Sequence, residues 1–458
     1  MQILERFFKL KENKTNFTTE VLAGLTTFVT MVYILAVNPY LLSFAIEGTG
    51  LSEGGLFTAT ALMAIVGTLI MGLYAKYPFA LAPGMGLNAF FAFGVVPRLG
   101  GSWHTALFLL LIQGIMFVFL AMFKFRERIF VAIPKNLKLA IGAGIGLFIT
   151  HIGLQNAGFI TADFATLVSL GDITSLPVVL FMFGLIATSF LVIKKVRGGL
   201  FIGILSTYII GLLLELIGIY VPGEHGASLI PSGIISLPPS IADINLVTNF
   251  DQVSFAGIAP FAIVSLILIL LIVDSLDTVG TLIGVSEKAD GFLDKDGNLA
   301  GAGRGAGPAL LSDAITTGLG ALVGTSTTTT YVESAAGVQA GGKTGLTAVT
   351  TAALFTLALF FSPVFLVIPS FATSPALVIV GVFMVSIVRK IDFENDFSEA
   401  IPAFLVMILM PLTYTISDGI VFGVISYVVL KVLTGKAGKV SIIMYALAIV
   451  FVLKLIFT

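Results

Sequence analysis

SDAITTGLGALVGTSTTTTYVESAAGVQAGGKTGLT, residues 312–347, is the stretch that decides the fold. Its first part, apolar and rich in small residues, reads as a membrane helix that stops at Gly324-Thr325-Ser326. Thr327 to Thr330 follow, and a short helix restarts with Glu333 in its first turn. A helix interrupted at membrane depth leaves backbone groups that lipid cannot satisfy, so the break must face protein or a polar cavity. The interruption is therefore a candidate binding site.

The flanking sequence supplies the membrane. Of 458 residues, 57% are hydrophobic and 11% charged, whereas a soluble domain carries about 25% charged residues. The absence of cysteine excludes disulfides, a thiolate nucleophile and a cysteine metal site. A net charge of −1, with Lys and Arg only in short clusters, argues against a nucleic-acid partner. The charged N-terminus, residues 1–19, lacks a cleavable signal pattern and is expected to stay in the cytoplasm.

Apolar runs at 20–44, 55–75, 78–97, 103–123, 138–157, 176–193, 199–220, 256–283, 308–323, 326–342, 346–369, 372–388, 400–415 and 417–434 read as fourteen spans. A further apolar run, 440–457, reads equally as a short fifteenth span or as a helix lying along the interface. With the N-terminus inside, every Lys and Arg up to the fourteenth span except Arg98 falls on the cytoplasmic side, as positive charge does. Adding or dropping a span would mix the two sides. The outer loop 221–255 carries four prolines and no Lys or Arg.

Spans 3 and 10 lie seven apart and share one grammar: an extended lead-in, then a half-length helix. In span 3 the lead-in is YPFALAPG, where Pro78 and Pro83 oppose helix, and MGLNAFFAFG follows from Met85. In span 10 the lead-in is VGTSTTTT and the restart is YVESAAGV. Seven is odd, so the second repeat is inverted relative to the first, and paired interruptions of this kind point to a transporter's midplane site. Both half-helices then start mid-membrane, each expected to present free N–H donors and about half a positive charge. Asn88 and Glu333 fall in those first turns, and Thr327 to Thr330 are expected to cap the second.

Span 8, LILILLIVDSLDTVGTLIG, adds Asp274 and Asp277 deep in an apolar run. An acid there costs about 2.5–3.5 kcal/mol on insertion scales and must face the bundle interior. Three residues apart, the two can share a helix face. Asp313 opens span 9. Plainer roles compete at each position: helix capping for Glu333, an interhelical hydrogen bond for Asn88 or Asp274, and packing for Phe90. Asp277 suits an orienting partner, and Asp313 a structural or gating group. His104 and His151 more often find a partner than relay protons.

APGMGLNAFF, VDSLDTVGTLIG and GTSTTTTYVESAAG together resemble the signatures of the Azg-like purine permeases, the adenine/guanine/hypoxanthine branch of the nucleobase–cation symporters, over essentially the whole chain. The resemblance implies an all-α polytopic membrane fold of fourteen spans in two inverted repeats, with a core and a gate domain. It divides the chain into a cytoplasmic N-terminus (1–19), core (20–137), gate (138–220), outer loop (221–255), core (256–369), gate (370–434) and an apolar tail (435–458). It further implies a multi-pass protein of the plasma (bacterial inner) membrane, purine import coupled to protons or Na+, and homodimers, which recur in the family.

Carried over residue by residue, the substrate carboxylate of span 8 falls on Asp274 and that of span 10 on Glu333, followed by Ser334. The polar residue of span 3 falls on Asn88, with Phe90 a stacking neighbour. The span 9 acid of the family falls on Asp313. Two carboxylates in a dry site repel, so Asp274 or Glu333 is expected to bind the coupled proton, with Asp277 and Asp313 as further coupling or supporting groups. Where xanthine and urate carriers have Gln-Asn, this chain has Glu333-Ser334, which disfavours those substrates. A purine offers N–H donors beside acceptors, matching carboxylates on one edge and backbone N–H groups on another.

GVQAGGKT, Gly337–Thr344, satisfies the phosphate-loop pattern, but it joins a half-helix to a membrane span rather than a strand to a helix in a nucleotide domain. GAGRGAG at 301–307 and DKDGN at 294–298 have the wrong spacing for dinucleotide or calcium sites and read as linker. No metal cluster, cofactor motif or nucleophile with a base indicates an enzyme. The alternative is an anion carrier or channel of the same fold, holding sulfate, bicarbonate or chloride on the helix dipoles; two carboxylates in the pocket oppose it.

Overall fold

The computed structural model describes residues 2–122, 132–286 and 307–457. DKDGN and all but the last glycine of GAGRGAG lie outside the described residues. Among the described residues, ten helices are long and apolar enough to cross a membrane. Four shorter apolar helices, Met85–Leu99, Gly307–Val323, Phe397–Leu412 and Ile442–Ile456, accompany them.

Both expected half-helices with extended lead-ins are present. Strand β1 (Leu81–Pro83) precedes a helix that starts at Met85, and β4 (Thr328–Thr330) precedes the short helix Ser334–Gln339. The two strands pair antiparallel, Leu81 with Thr330 and Pro83 with Thr328, so each lead-in satisfies the other's backbone. Gly84 N–H extends the ladder to the Thr327 carbonyl at 3.0 Å. The helix before the second break, Gly307–Val323, ends at Gly324, whose φ of +100° is a glycine conformation. There the N–H groups of Gly324 and Thr325 both close on the Gly320 carbonyl.

The first span differs from the continuous helix expected over 20–44. It is two helices, Phe17–Met31 and Ile34–Ile46, broken at Val32–Tyr33. The run TTFVTMVY is rich in β-branched and aromatic residues, whose stiff side chains weaken a helix without signalling where it stops. A second unforeseen element is a hairpin, β2 (Ile160–Asp163) with β3 (Leu167–Leu170), in the connection before Leu176. Its turn is closed by Asp163, which accepts the N–H groups of Ala165 and Thr166. Those bonds, the Thr166 N–H foremost, hold its carboxyl below the usual range.

Two groups of helices pack chiefly within themselves. Phe17–Ala75, Trp103–Met122, Gly307–Val323 and Gly345–Ala358 surround the two breaks. Lys135–Asn156, Leu176–Ile193, Gly199–Leu216, Ser370–Val385, Phe397–Leu412 and Ile416–Leu433 form the second group. The helix Ile442–Phe457 packs on both Ile416–Leu433 and Pro260–Ser286. At its start the Ser441 hydroxyl donates to the Ala132 carbonyl, and near its end Lys454 bonds Ser417 at 2.9 Å beside Arg98 and Asp418. This run therefore lies through the depth of the bundle, about 24 Å for 16 residues, not flat along an interface.

The phosphate-loop look-alike is filled from within. Buried Glu20 accepts the N–H groups of Lys343 (3.0 Å) and Thr344 (3.2 Å) and the hydroxyls of Thr344 (2.9 Å) and Thr347 (2.6 Å). The turn binds an anion, and that anion is the chain's own carboxylate. Glu20→Ala strands all four donors, and at 1–3 kcal/mol per orphaned group it costs about 4 kcal/mol or more. Thermal unfolding of the detergent-purified protein should show a large drop for Glu20→Ala and a smaller one for Glu20→Gln.

Candidate functional site

The β1–β4 clasp brings the sequence candidates to one place but gives them different jobs. Asp274, on the helix Pro260–Ser286, is fully buried and accepts from Gln113 Nε2 at 2.9 Å. Asp313 is also buried; it accepts the Thr278 hydroxyl at 2.7 Å and the Thr330 N–H at 3.2 Å. Thr278, one turn after Asp274, lies 3.4 Å from Asp274 Oδ1 and 3.2 Å from the Thr329 hydroxyl. Helix, acid pair and strand β4 are thus joined through one hydroxyl.

Asp277 is different. It is half-buried, and its Oδ2 lies beside Gly84, the residue before the first half-helix: a methyl group on Gly84 would come within 3.5 Å of that oxygen and 2.6 Å of Thr329 Cγ2. Asp313 and Glu333 are close enough for their charges to act on Asp277. Tyr331, buried, feels both Glu333 and Asp277, and its hydroxyl donates to the Pro83 carbonyl. Glu333 is half-buried, and its Oε1 accepts the Tyr33 hydroxyl at 2.6 Å. Of the four acids, Asp277 and Glu333 are the two with exposed surface.

Asn88, Phe90 and Ser334 are turned into the protein. The Asn88 amide donates to Asn38 Oδ1 and accepts from the Ser326 hydroxyl, while Asn38 donates to Thr60 at 2.8 Å, a buried chain that ties the first half-helix to the second break. The Phe90 ring is fully buried and lies against Gly94 of its own helix. Ser334 accepts the Ala80 N–H at 2.9 Å and prolongs the β1–β4 pairing. His104 bonds the Asp243 carbonyl at 2.9 Å, and His151 packs edge-on against Tyr414.

The two helix starts are also unequal. Helix geometry leaves the first-turn N–H groups after Gly84, those of Met85 to Leu87, without acceptors inside the first half-helix. In the second, the N–H groups of Ser334, Ala335 and Ala336 close on the carbonyls of Tyr331, Val332 and Glu333. A tight turn absorbs the donors expected to be free there. Nor do the threonines cap that helix: Thr328 to Thr330 are strand, and the buried hydroxyls of Thr327, Thr328 and Thr330 have no hydrogen-bond partner among the described residues.

Sequence reasoning missed Tyr33, Tyr331, Gln113 and Thr278 as parts of this site. Tyr331 stands two residues from Glu333 and was open to notice; Tyr33 and Gln113 are 300 and 161 residues from the acids they bond, and only the fold pairs them.

A multi-pass helical protein with two broken helices clasped by strands at its centre is a membrane carrier of inverted-repeat build. Solved structures agree on the fold: the transmembrane domain of a cyanobacterial bicarbonate transporter, BicA, superposes with a TM-score of 0.60 at 14% identity, covering 89% of this chain and 97% of that one. Murine Slc26a9, an anion transporter in its inward-facing state, gives 0.61 at 12% identity, covering 95% and 72%. The chain belongs to the Permease family, which it matches over residues 18–422. It is 46% identical to the guanine/hypoxanthine permease PbuG of Bacillus subtilis over 99% of this chain and 100% of that protein. It is 38% identical to the adenine permease AdeP of Escherichia coli over 99% and 96%.

Burial separates Asp274 from Asp277, and in the opposite sense to the sequence reading, which gave the substrate contact to Asp274 and the orienting role to Asp277. Asp274→Asn, at a fully buried acid, should lower the melting temperature as well as transport, whereas Asp277→Asn should abolish transport at least tenfold with little change in melting. Gly84→Ala, which pushes a methyl group into Thr329 and toward Asp277, should behave as Asp277→Asn does. Parallel melting curves and uptake rates check all three.

Proposed function

We propose that this protein is a purine nucleobase permease, taking up guanine, hypoxanthine or adenine. The observation that carries this function is the pair of half-buried carboxylates, Asp277 and Glu333, set beside the clasp and the open first turn after Gly84. A purine presents N–H donors on two edges and acceptors between them. Asp277 and Glu333 accept from the donors, and first-turn N–H groups from Met85 to Leu87 meet a ring nitrogen or carbonyl. Asp274 and Asp313 act through Thr278, holding the turn of helix from which Asp277 projects. Two carboxylates would repel sulfate, bicarbonate or chloride from this pocket, so the anion-carrier alternative is not favoured despite the shared fold.

Coupling follows from the same pair. Two carboxylates whose charges act on each other in a poorly hydrated site repel, and a proton taken up by one of them relieves the repulsion as the neutral purine enters. In this scheme the proton travels with the base, the N-terminus and most Lys and Arg lie in the cytoplasm, and the group of helices around the breaks moves against the other group to expose the site alternately.

Uptake of radiolabelled guanine, hypoxanthine, adenine and sulfate into proteoliposomes tests this directly, with an inward proton gradient, an inward Na+ gradient, or neither. At least one purine should accumulate, driven by the proton gradient, with no sulfate taken up. Sulfate uptake without purine uptake would reverse the assignment of substrate, and accumulation driven by Na+ alone would replace the coupling ion. Glu333→Gln should lose proton-driven accumulation.

A further inference from the structure

The first span reaches both halves of the site. At its break, Tyr33 is 1% exposed and donates from Oη to Glu333 Oε1 at 2.6 Å. One turn earlier the Thr30 hydroxyl comes within 3.4 Å of the Glu333 carbonyl oxygen. Five residues later, Asn38 accepts from Asn88 of the other half-helix. The break itself is a tight turn, with Leu35 and Ala36 N–H groups bonding the Val32 and Tyr33 carbonyls, and it carries the Tyr33 ring to the start of the second half-helix.

A phenol buried only to fill space would be served as well by phenylalanine. Here the hydroxyl is spent on a carboxylate, a charge-assisted bond of the stronger kind. Glutamate has three side-chain torsions, and a ligand that met it unrestrained would have to order them on binding. One oxygen held from the protein side restricts the carboxylate's rotation, and a carboxylate's two oxygens keep further acceptor sites for the ligand. Ordering a side chain in advance in this way is worth roughly tenfold in affinity.

We propose that Tyr33 is a positioning residue for purine recognition: by holding Glu333 Oε1 it presents the rest of that carboxylate, already oriented, to an N–H edge of the nucleobase. The inference rests on the purine-permease function above. Tyr33 does not touch the base; it acts through Glu333, and therefore on KM rather than on the maximal rate.

Purine uptake by the full-length protein in proteoliposomes separates the two. Tyr33→Phe keeps the ring and removes the hydroxyl. KM for the transported purine should rise about tenfold, with the maximal rate within about twofold of the parent and the melting temperature nearly unchanged. Glu333→Asp withdraws the carboxylate by one methylene with Tyr33 intact and should also raise KM, and the double variant should be no worse than the weaker single one, because both break the same bond. An unchanged KM in Tyr33→Phe, effects that multiply in the double variant, or a fall in maximal rate alone would overturn the assignment. Should Tyr33→Phe fail to fold, a parental KM in Glu333→Asp would overturn it equally. A parent protein that takes up no purine sinks the function itself and Tyr33's role with it, whereas a parental KM in Tyr33→Phe sinks only the latter.

Discussion

The structure depends on six residues of β-strand. Interrupting a helix inside a membrane exposes peptide groups to a medium that cannot hydrogen-bond them, and this chain does so twice. It resolves the problem by making the interruptions each other's partners: Leu81–Pro83 and Thr328–Thr330 form a two-stranded ladder where water would otherwise be needed. The pairing also fixes where the next residues go. Gly84 and Tyr331 leave the ladder at opposite corners, and the half-helices that follow carry Asn88 and Glu333. Proline at position 83 is tolerated because this short strand ends there, at the turn into the helix.

Around this clasp the acids divide by environment rather than by type. Asp274 and Asp313 are enclosed and share the neighbourhood of one threonine hydroxyl, which makes them braces between a helix and strand β4. Asp277 and Glu333 keep exposed surface beside the opening. Asp274 and Asp277 are three residues apart on one helix, and that small rotation is enough to place one against Gln113 and the other against the first-turn backbone at Gly84.

The broken helices were legible because their causes are local: Pro78 and Pro83 oppose a continuous helix wherever the chain folds, and Gly324 with the threonines after it weakens one. Membrane class was legible from composition, and the acids from the cost of burying charge in lipid. The distribution of roles was not. Nothing in VDSLDTVG says which aspartate meets a glutamine from another helix, and GTSTTTT reads as a run of hydroxyl caps until its pairing strand is known. The break at Val32–Tyr33 has no proline or glycine to announce it. Glu20 is a first-turn acid by position in its own helix, and nothing local says that it fills a turn more than 300 residues away.

Ten residues beyond Asn88 on the same helical run stands Arg98, whose guanidinium bonds Ser417 at 3.1 Å and Asp418 at 2.6 Å at the start of a helix in the second group. Lys454, from the last helix, reaches the same two residues at 2.9 and 3.6 Å. The helical run that carries Asn88 is thereby tied at its far end to the second group of helices and to the last helix at once, three elements meeting at one carboxylate.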